Sequence, residues 1–349
     1  MDSKKIHIHK LISVVLALTF VLMCFTLGGC KSKTGDQTNA DPEISTDDFQ
    51  DVFAPDEDPK TEETDPSESE STQTTEPQGA EPSEQQSTAA PTTTKAAGTT
   101  ASGGKHDSTT TTEAAKPEVT GTKTLTSGNK TVVYPKALET SSKRYPVIVW
   151  ANGTGCPTST YMSLLEKFAN AGYVVVADSS VMTADGTSQR NSIDFIIKEA
   201  GNSSSVFYSK IDTQKVGASG HSQGGRSCVN AAQADSRIKC IVSIAGASSA
   251  DEAKGLKAPT LYLTGTSDMV VVSSQWVKPS YDATVGRAVY ASLKGAVHTT
   301  CMTNPEKLSD YCISWFDAYL KNDSTAMAVF ADGGKLATDS NWQDFASKN

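Results

Sequence analysis

The segment Gly220-His221-Ser222-Gln223-Gly224 has the form G-x-S-x-G, with a short apolar run, Lys215 to Ser219, before it and a helix-compatible stretch after it. In that setting the motif predicts a sharp strand-to-helix turn that lifts a nucleophilic Ser222 clear of a sheet. Small residues flank the serine because the turn brings backbone segments close together, and a helix opening at Gln223 aims its first amides at developing negative charge. A serine hydroxyl is a weak nucleophile until a positioned base takes its proton, so the pattern demands a histidine. The chain has five. His7 and His9 lie near the N-terminus, His106 lies in a polar stretch, and His221 adjoins the serine and is directed away from its hydroxyl. His298 remains, in Gly295-Ala296-Val297-His298 after an apolar run. The carboxylate that orients it is assigned to Asp268, in Gly265-Thr266-Ser267-Asp268, which gives the chain order Ser, Asp, His. Asp251, Glu252 and Asp282 are rivals in segments that read as loop or helix surface. Asp178 ends an apolar run but precedes the nucleophile; it reads as a rim or capping residue, or as one without a role.

Acyl transfer through such a serine also needs two backbone donors for the oxyanion. One is the amide of Gln223. The other is assigned to the loop Asn152-Gly153-Thr154-Gly155, with the Thr154 amide as the choice and Gly155 the neighbour between which sequence register does not decide.

The elements that must hold these residues are legible as short apolar runs alternating with amphipathic stretches, the pattern of an α/β fold with a mostly parallel sheet flanked by helices. Strands are expected at Val132 to Tyr134, Val147 to Ala151, Tyr173 to Ala177, Lys215 to Ser219, Ile238 to Ile244, Thr260 to Thr264 and Ala288 to Leu293. Helices are expected around Thr160 to Ala171, where Tyr161, Leu164, Leu165 and Phe168 share a face, around Ser192 to Ala200, after Gln223, and at Glu306 to Leu320. The connections are short and leave little room for a large lid.

The 349 residues carry a net charge of −9, but unevenly: +2 over residues 1–30, −14 over 31–122 and +3 over 123–349. No region is basic enough for a nucleic-acid footprint. Lys4, Lys5 and Lys10 precede an uncharged run from Leu11 to Leu27, as in an export signal. The run ends in Leu27-Gly28-Gly29-Cys30, which resembles a bacterial lipobox, so residues 1–30 are read as a lipoprotein signal peptide with Cys30 as the lipidation site. The alternative is an uncleaved membrane anchor. Either way the protein is expected outside the cytoplasmic membrane and held to its outer face. Residues 31–122, rich in Thr, Ser, Glu, Asp and Pro with only Phe49 and Phe53 as aromatics, lack the apolar surface to offset ordering entropy. They read as a disordered acidic linker spanning roughly 50–60 Å, with threonine runs open to glycosylation. Residues 123–349 are left as one catalytic domain, expected to be monomeric.

Taken together, these residues resemble the α/β-hydrolase superfamily over about Val132 to Leu320. The stretches PVIVWANGTG (Pro146 to Gly155), GASGHSQGG (Gly217 to Gly225) and PTLYLTGTSD (Pro259 to Asp268), with His298 beyond, are similar to the branch of cutinase-like polyester hydrolases, chlorophyllase-like proteins and dienelactone hydrolases. The resemblance implies a Ser-His-Asp esterase without metal or organic cofactor, with Ser222, Asp268 and His298 as the triad and Thr154 and Gln223 as the oxyanion amides. Polyester hydrolases usually carry an aromatic residue at the position of Thr154 and Met at that of Gln223, and dienelactone hydrolases a Cys at that of Ser222. Trp276 is the candidate for a substrate-binding wall, with core packing as the other reading of it. The expected substrate is a carboxylic ester, on a polymer, an acylated glycan or a small molecule.

Beyond Cys24 and Cys30 there are five cysteines, Cys156, Cys228, Cys240, Cys301 and Cys312, none spaced for zinc. Cys156 and Cys301 flank the oxyanion and histidine loops, so a bridge between them is a candidate brace; Cys228 and Cys240 read as small packing residues. Two other functions fit the same residues: a surface binding module with a vestigial triad, and an acyltransferase or peptidase using the triad. A complete triad favours catalysis, and 123–349 leaves no room for the extra domain of related peptidases.

Overall fold

The computed structural model describes residues 120–349. The expected signal 1–30 with Cys30, and nearly all of the expected linker 31–122, lie outside the described residues. The apolar runs become neighbours in one nine-stranded sheet: β1 (Thr122–Ser127), β2 (Lys130–Pro135), β3 (Tyr145–Ala151), β4 (Val174–Asp178), β5 (Ile211–His221), β6 (Ile238–Ile244), β7 (Thr260–Gly265), β8 (Ala288–Leu293) and β9 (Trp342–Lys348), in the order β1-β2-β4-β3-β5-β6-β7-β8-β9. From β4 through β3, β5, β6 and β7 to β8 the ladders are parallel. The pairs β1/β2, β2/β4 and β8/β9 are antiparallel. The helices are α1 (Met162–Asn170), α2 (Thr187–Gly201), α3 (Gln223–Ala234), α4 (Ala250–Ala253), α5 (Val277–Ala283), α6 (Thr300–Thr303), α7 (Glu306–Leu320), α8 (Ser324–Ala328) and α9 (Lys335–Thr338). This is the mostly parallel, helix-flanked sheet that the sequence pattern predicts, and the α/β-hydrolase architecture that the family resemblance implies.

Continuous apolar runs form the central strands because both faces of the sheet are covered. Ile148, Trp150, Val175 and Ala177 pack into one cluster with Leu164 and Phe168 of α1 and Trp315 and Phe316 of α7. Their neighbours Val147, Val149, Val174 and Val176 pack into another with Ile193 and Ile196 of α2 and Val229 of α3. A third, smaller cluster, with Tyr262, Val271, Val277, Tyr281 and Tyr290, lies under the segment after β7. No helix among the described residues is long and apolar enough to cross a membrane.

Two edge strands, the start of β5 at Ile211 rather than Lys215, the short helices α4, α5, α6, α8 and α9, and the start of α2 depart from the expectations. β1 and β9 are antiparallel edges whose side chains are mostly exposed or half-buried, so they lack the apolar runs by which the others were recognised. Helix α2 begins at Thr187 rather than Ser192, because Asp185 accepts the Thr187 amide at 2.9 Å and the inner face of the first turns is polar. There the fully buried Gln189 donates to the Val149 and Ser219 carbonyls and accepts from Ser227.

Candidate active site

The parallel part of the sheet starts at β3, from which the chain turns to one side for β4 and to the other for β5, so the strand order reverses between β3 and β5. The crevice at the carboxyl ends of such strands is where ligands bind in open parallel sheets. Ser222 follows β5 there, the Asn152 to Gly155 loop follows β3, and Asp268 and His298 follow β7 and β8.

Ser222 has φ 58° and ψ −121°, a strained conformation for a residue with a side chain. The turn is held by its backbone: the Ser222 amide donates to the Ile244 carbonyl at 3.0 Å, and its carbonyl accepts from Gly225 at 2.9 Å and Ala247 at 3.3 Å. A Cβ on Gly220 would overlap the Gly224 carbonyl, and one on Gly224 would overlap the Ala151 carbonyl. The glycines of the motif are thus required by space.

His298 Nδ1 lies 2.7 Å from Asp268 Oδ2, with both side chains almost wholly buried. The other carboxylate oxygen accepts the amides of Val270 and Val271, each at 2.9 Å. A carboxylate oxygen accepts, so His298 Nδ1 carries the proton toward Asp268 and Nε2 is the ring's other, acceptor nitrogen.

In the loop after β3, the Gly153 amide donates to Tyr161 Oη at 3.1 Å, the Gly155 amide to the Val181 carbonyl at 3.1 Å, and the Cys156 amide to the Gly153 carbonyl at 3.1 Å. The Thr154 amide has no acceptor among the described residues. Since the Gly153 carbonyl is turned toward Cys156, the Thr154 N–H of the same trans peptide points the opposite way. The Gln223 amide, at the first position of α3, has no partner within its helix. Its side chain accepts the Thr183 amide at 2.6 Å, and Thr183 Oγ1 donates to the Asn152 carbonyl at 2.9 Å. Asn152 itself accepts from Trp150 Nε1 at 3.1 Å and donates to the Asp178 and Ser180 carbonyls at 2.9 and 3.0 Å.

Thr183, Asn152 and Tyr161 were not singled out in the sequence as site residues. Tyr161 was assigned only to an apolar helix face, and nothing in the sequence marks its hydroxyl as engaged. His221 is completely buried, with its ring centroid 4.5 Å from that of His298. Burial, aided by the neighbouring His298, pushes its pKa well below the usual imidazole value.

The remaining candidates sit elsewhere. Trp276 is half-buried against the cluster under the segment after β7. Asp178 is buried, paired with Lys130 and bonded to Asn129 and to Ser180. Glu252 caps α4 and pairs with Arg226 at 2.6 Å, and Asp282 pairs with Lys278 at 2.6 Å. The brace between Cys156 and Cys301 is not formed. Both lie in the same core cluster, yet Cys301 is a free thiol while Cys156 is disulfide-bonded. Shared burial in one cluster did not bring these two sulfurs into a bond. Cys228 and Cys240 are buried free thiols. Among the described residues no group of three or more His, Cys, Asp or Glu side chains is arranged to hold a metal ion.

The sequence is similar to those of known ester hydrolases. Cutinase 2 of Thermobifida cellulosilytica is 23% identical over 205 residues, covering 56% of this chain and 75% of its own. Cutinase est2 of Thermobifida alba is 22% identical over 227 residues, covering 63% and 73%. A bis(hydroxyethyl) terephthalate hydrolase of Streptomyces coelicolor is 24% identical over 205 residues, covering 56% and 64%. The PET hydrolase-like family (PETase) is matched over residues 81–345, well over half of the chain, and the protein belongs to that family.

Proposed function

We propose that this carboxylic-ester hydrolase acts outside the cytoplasmic membrane as a serine esterase, with Ser222 as nucleophile, His298 as general base and acid, and Asp268 as the group that orients His298. His298 Nε2 takes the Ser222 proton as Oγ attacks the ester carbonyl. The tetrahedral oxyanion is received by the Thr154 and Gln223 amides. His298 then returns the proton to the departing alcohol, leaving an acyl-Ser222 that water hydrolyses by the same route. The observation that carries this reading is the 2.7 Å bond between His298 Nδ1 and Asp268, which supports the one tautomer able to serve as base.

The relatives are named cutinase and bis(hydroxyethyl) terephthalate hydrolase, which supports an ester or polyester substrate here. Thr154 stands where polyester hydrolases usually carry an aromatic side chain, so the reading favours acyl groups on a glycan or small ester over stacking of an aromatic polymer. Outer-face attachment through Cys30 rests on the lipobox-like segment Leu27 to Cys30. The test is p-nitrophenol release from acetate, butyrate and octanoate esters by the full chain, with fluorophosphonate labelling, beside Ser222→Ala. Turnover and labelling that vanish together in the variant support the reading. Folded wild-type protein that does neither moves the binding-module reading to first place.

A further inference from the structure

We propose that Tyr161 and His221 form a directional hydrogen-bond relay from the Gly153 amide to the His298 carbonyl, which makes both of them positioning residues for hydrolysis at Ser222. The inference rests on the roles proposed above for Ser222, His298 and Thr154.

The polarity of the relay follows from its ends. A carbonyl oxygen only accepts, so Nε2 of His221, 2.9 Å from the His298 carbonyl, carries a proton. The ring lies in a fully buried site that disfavours charge, so it is neutral and its Nδ1 is an acceptor. The Tyr161 hydroxyl, 3.1 Å from Nδ1, therefore donates to it. That commits the phenolic oxygen to accepting, and its partner is the Gly153 amide at 3.1 Å. The chain runs from Gly153 N–H through Tyr161 and His221 to the His298 carbonyl, and each of its donors faces an acceptor.

Three segments meet in this relay: the loop after β3, the turn that carries Ser222, and the loop that carries His298. At one end it occupies the Gly153 amide, which helps leave the Thr154 amide as the uncommitted donor of its loop. At the other end it ties the backbone of His298 to the residue preceding the nucleophile. Packing gives the relay little slack. The Tyr161 ring lies 5.0 Å from Trp150 and 5.8 Å from His221, and a Cβ on Gly153 would come within 3.0 Å of Tyr161 Oη and 3.2 Å of His221 Nδ1. Small misplacements of catalytic groups are costly in rate, which is how a bond remote from the reacting atoms acts on kcat.

The direct test is 15N NMR of the full chain labelled at histidine, which contains five histidine side chains, with the His221 signals assigned by their loss in His221→Gln. The relay requires the Nε2–H tautomer of His221 without titration across the pH range of activity, in wild type and in Ser222→Ala alike. An Nδ1–H tautomer, or a ring that titrates in that range, overturns it. The kinetic arm is Tyr161→Phe, which keeps the ring and removes the hydroxyl. Its expected effect is a fall in kcat of about 10-fold with KM held within about 2-fold. His221→Gln retains a donor toward the His298 carbonyl and is expected to keep more kcat than His221→Leu. In the His221→Leu background Tyr161→Phe should cost less than in wild type, because the relay is already cut. Unchanged kcat in Tyr161→Phe, or additive effects, overturns the proposal. Inactive wild-type protein with the Nε2–H tautomer intact would instead refute the catalytic reading and leave the relay standing.

Discussion

Replacing Asp268 by Asn tests the division of labour in the site, because the substitution preserves shape and reverses one hydrogen-bond polarity. The carboxylate accepts three bonds: Val270 and Val271 amides on Oδ1, both at 2.9 Å, and His298 Nδ1 on Oδ2 at 2.7 Å. In Asp268→Asn the two amides hold the remaining carbonyl oxygen, since the opposite rotamer would set an NH2 group against two N–H donors. The Asn NH2 then faces His298 Nδ1. Two donors cannot share that contact, so the imidazole shifts to the tautomer with its proton on Nε2 and can no longer take one from Ser222. The expected loss is about 10,000-fold in kcat, equivalent to about 5.5 kcal/mol of activation free energy. KM should stay within a few-fold, and stability should change by only about 1 kcal/mol because the buried amides keep their acceptor. Asp268→Ala is a poorer probe, since it strands both amides and opens a cavity. The assay is steady-state hydrolysis of p-nitrophenyl butyrate with the thermal midpoint measured on the same protein. A loss below about 10-fold in a variant that melts like wild type would show that Asp268 does not set the tautomer of the working base.

Gly224→Ala should cost about 2 kcal/mol or more of stability, read by urea unfolding, because the new methyl overlaps the Ala151 carbonyl and only backbone movement at the elbow relieves it. Asp178→Asn leaves the Lys130 ammonium buried without its counter-charge and should cost about 3–5 kcal/mol at pH 7. Burial raises the Asp178 carboxyl, but bonds from Lys130 and Ser180 outweigh it and hold the pKa below its ordinary value. A depressed folded-state pKa contributes stability above the unfolded-state value and loses it as pH falls through the folded one, so the gap between wild type and Asp178→Asn should narrow below about pH 4. A gap that is constant from pH 7 to pH 3 would refute that assignment of charge.

The parts of the fold that could be read in advance are those where one physical cause dominates the residue choice. β3, β4, β6, β7, β8 and the second half of β5 are buried on both faces almost throughout, which forces near-continuous apolar runs such as Val147 to Ala151 and Ile238 to Ile244. β1 and β9 close the sheet edges through backbone bonds and partial burial, and that leaves no comparable trace in side-chain type. Helix α2 escaped at its start for a related reason: Ser188 and Gln189 are buried through hydrogen bonds, so apolar periodicity understates the inner face. The same distinction runs through the site. Gly220, Ser222 and Gly224 are legible because a strained turn admits few residues, and the His298 position facing Asp268 because so few histidines compete for it. Asn152, Tyr161 and Thr183 use bonds to backbone groups of distant segments, which no local spacing encodes. The Cys156 and Cys301 expectation failed because it inferred a covalent bond from neighbourhood alone.

The hydrogen bonds also explain how four separate loops can hold one site. Asn152 joins the loop after β3 to the Asp178–Ser180 segment, Gln223 joins Thr183 to the nucleophile elbow, and Ser267 joins the carboxylate loop to the Ala296 carbonyl of the histidine loop at 2.9 Å. In each pair at least one partner is a backbone group, so the bond survives any change of side chain on that half. Positioning is thereby separated from specificity. Side chains outside these bonds are free to vary with the ester, while the backbone bonds keep the Thr154 and Gln223 amides and the His298 ring in place. A family built this way can change acyl or alcohol preference without rebuilding its reaction centre, and substitutions that alter substrate choice here are expected at exposed crevice positions rather than at Asn152, Thr183 or Tyr161.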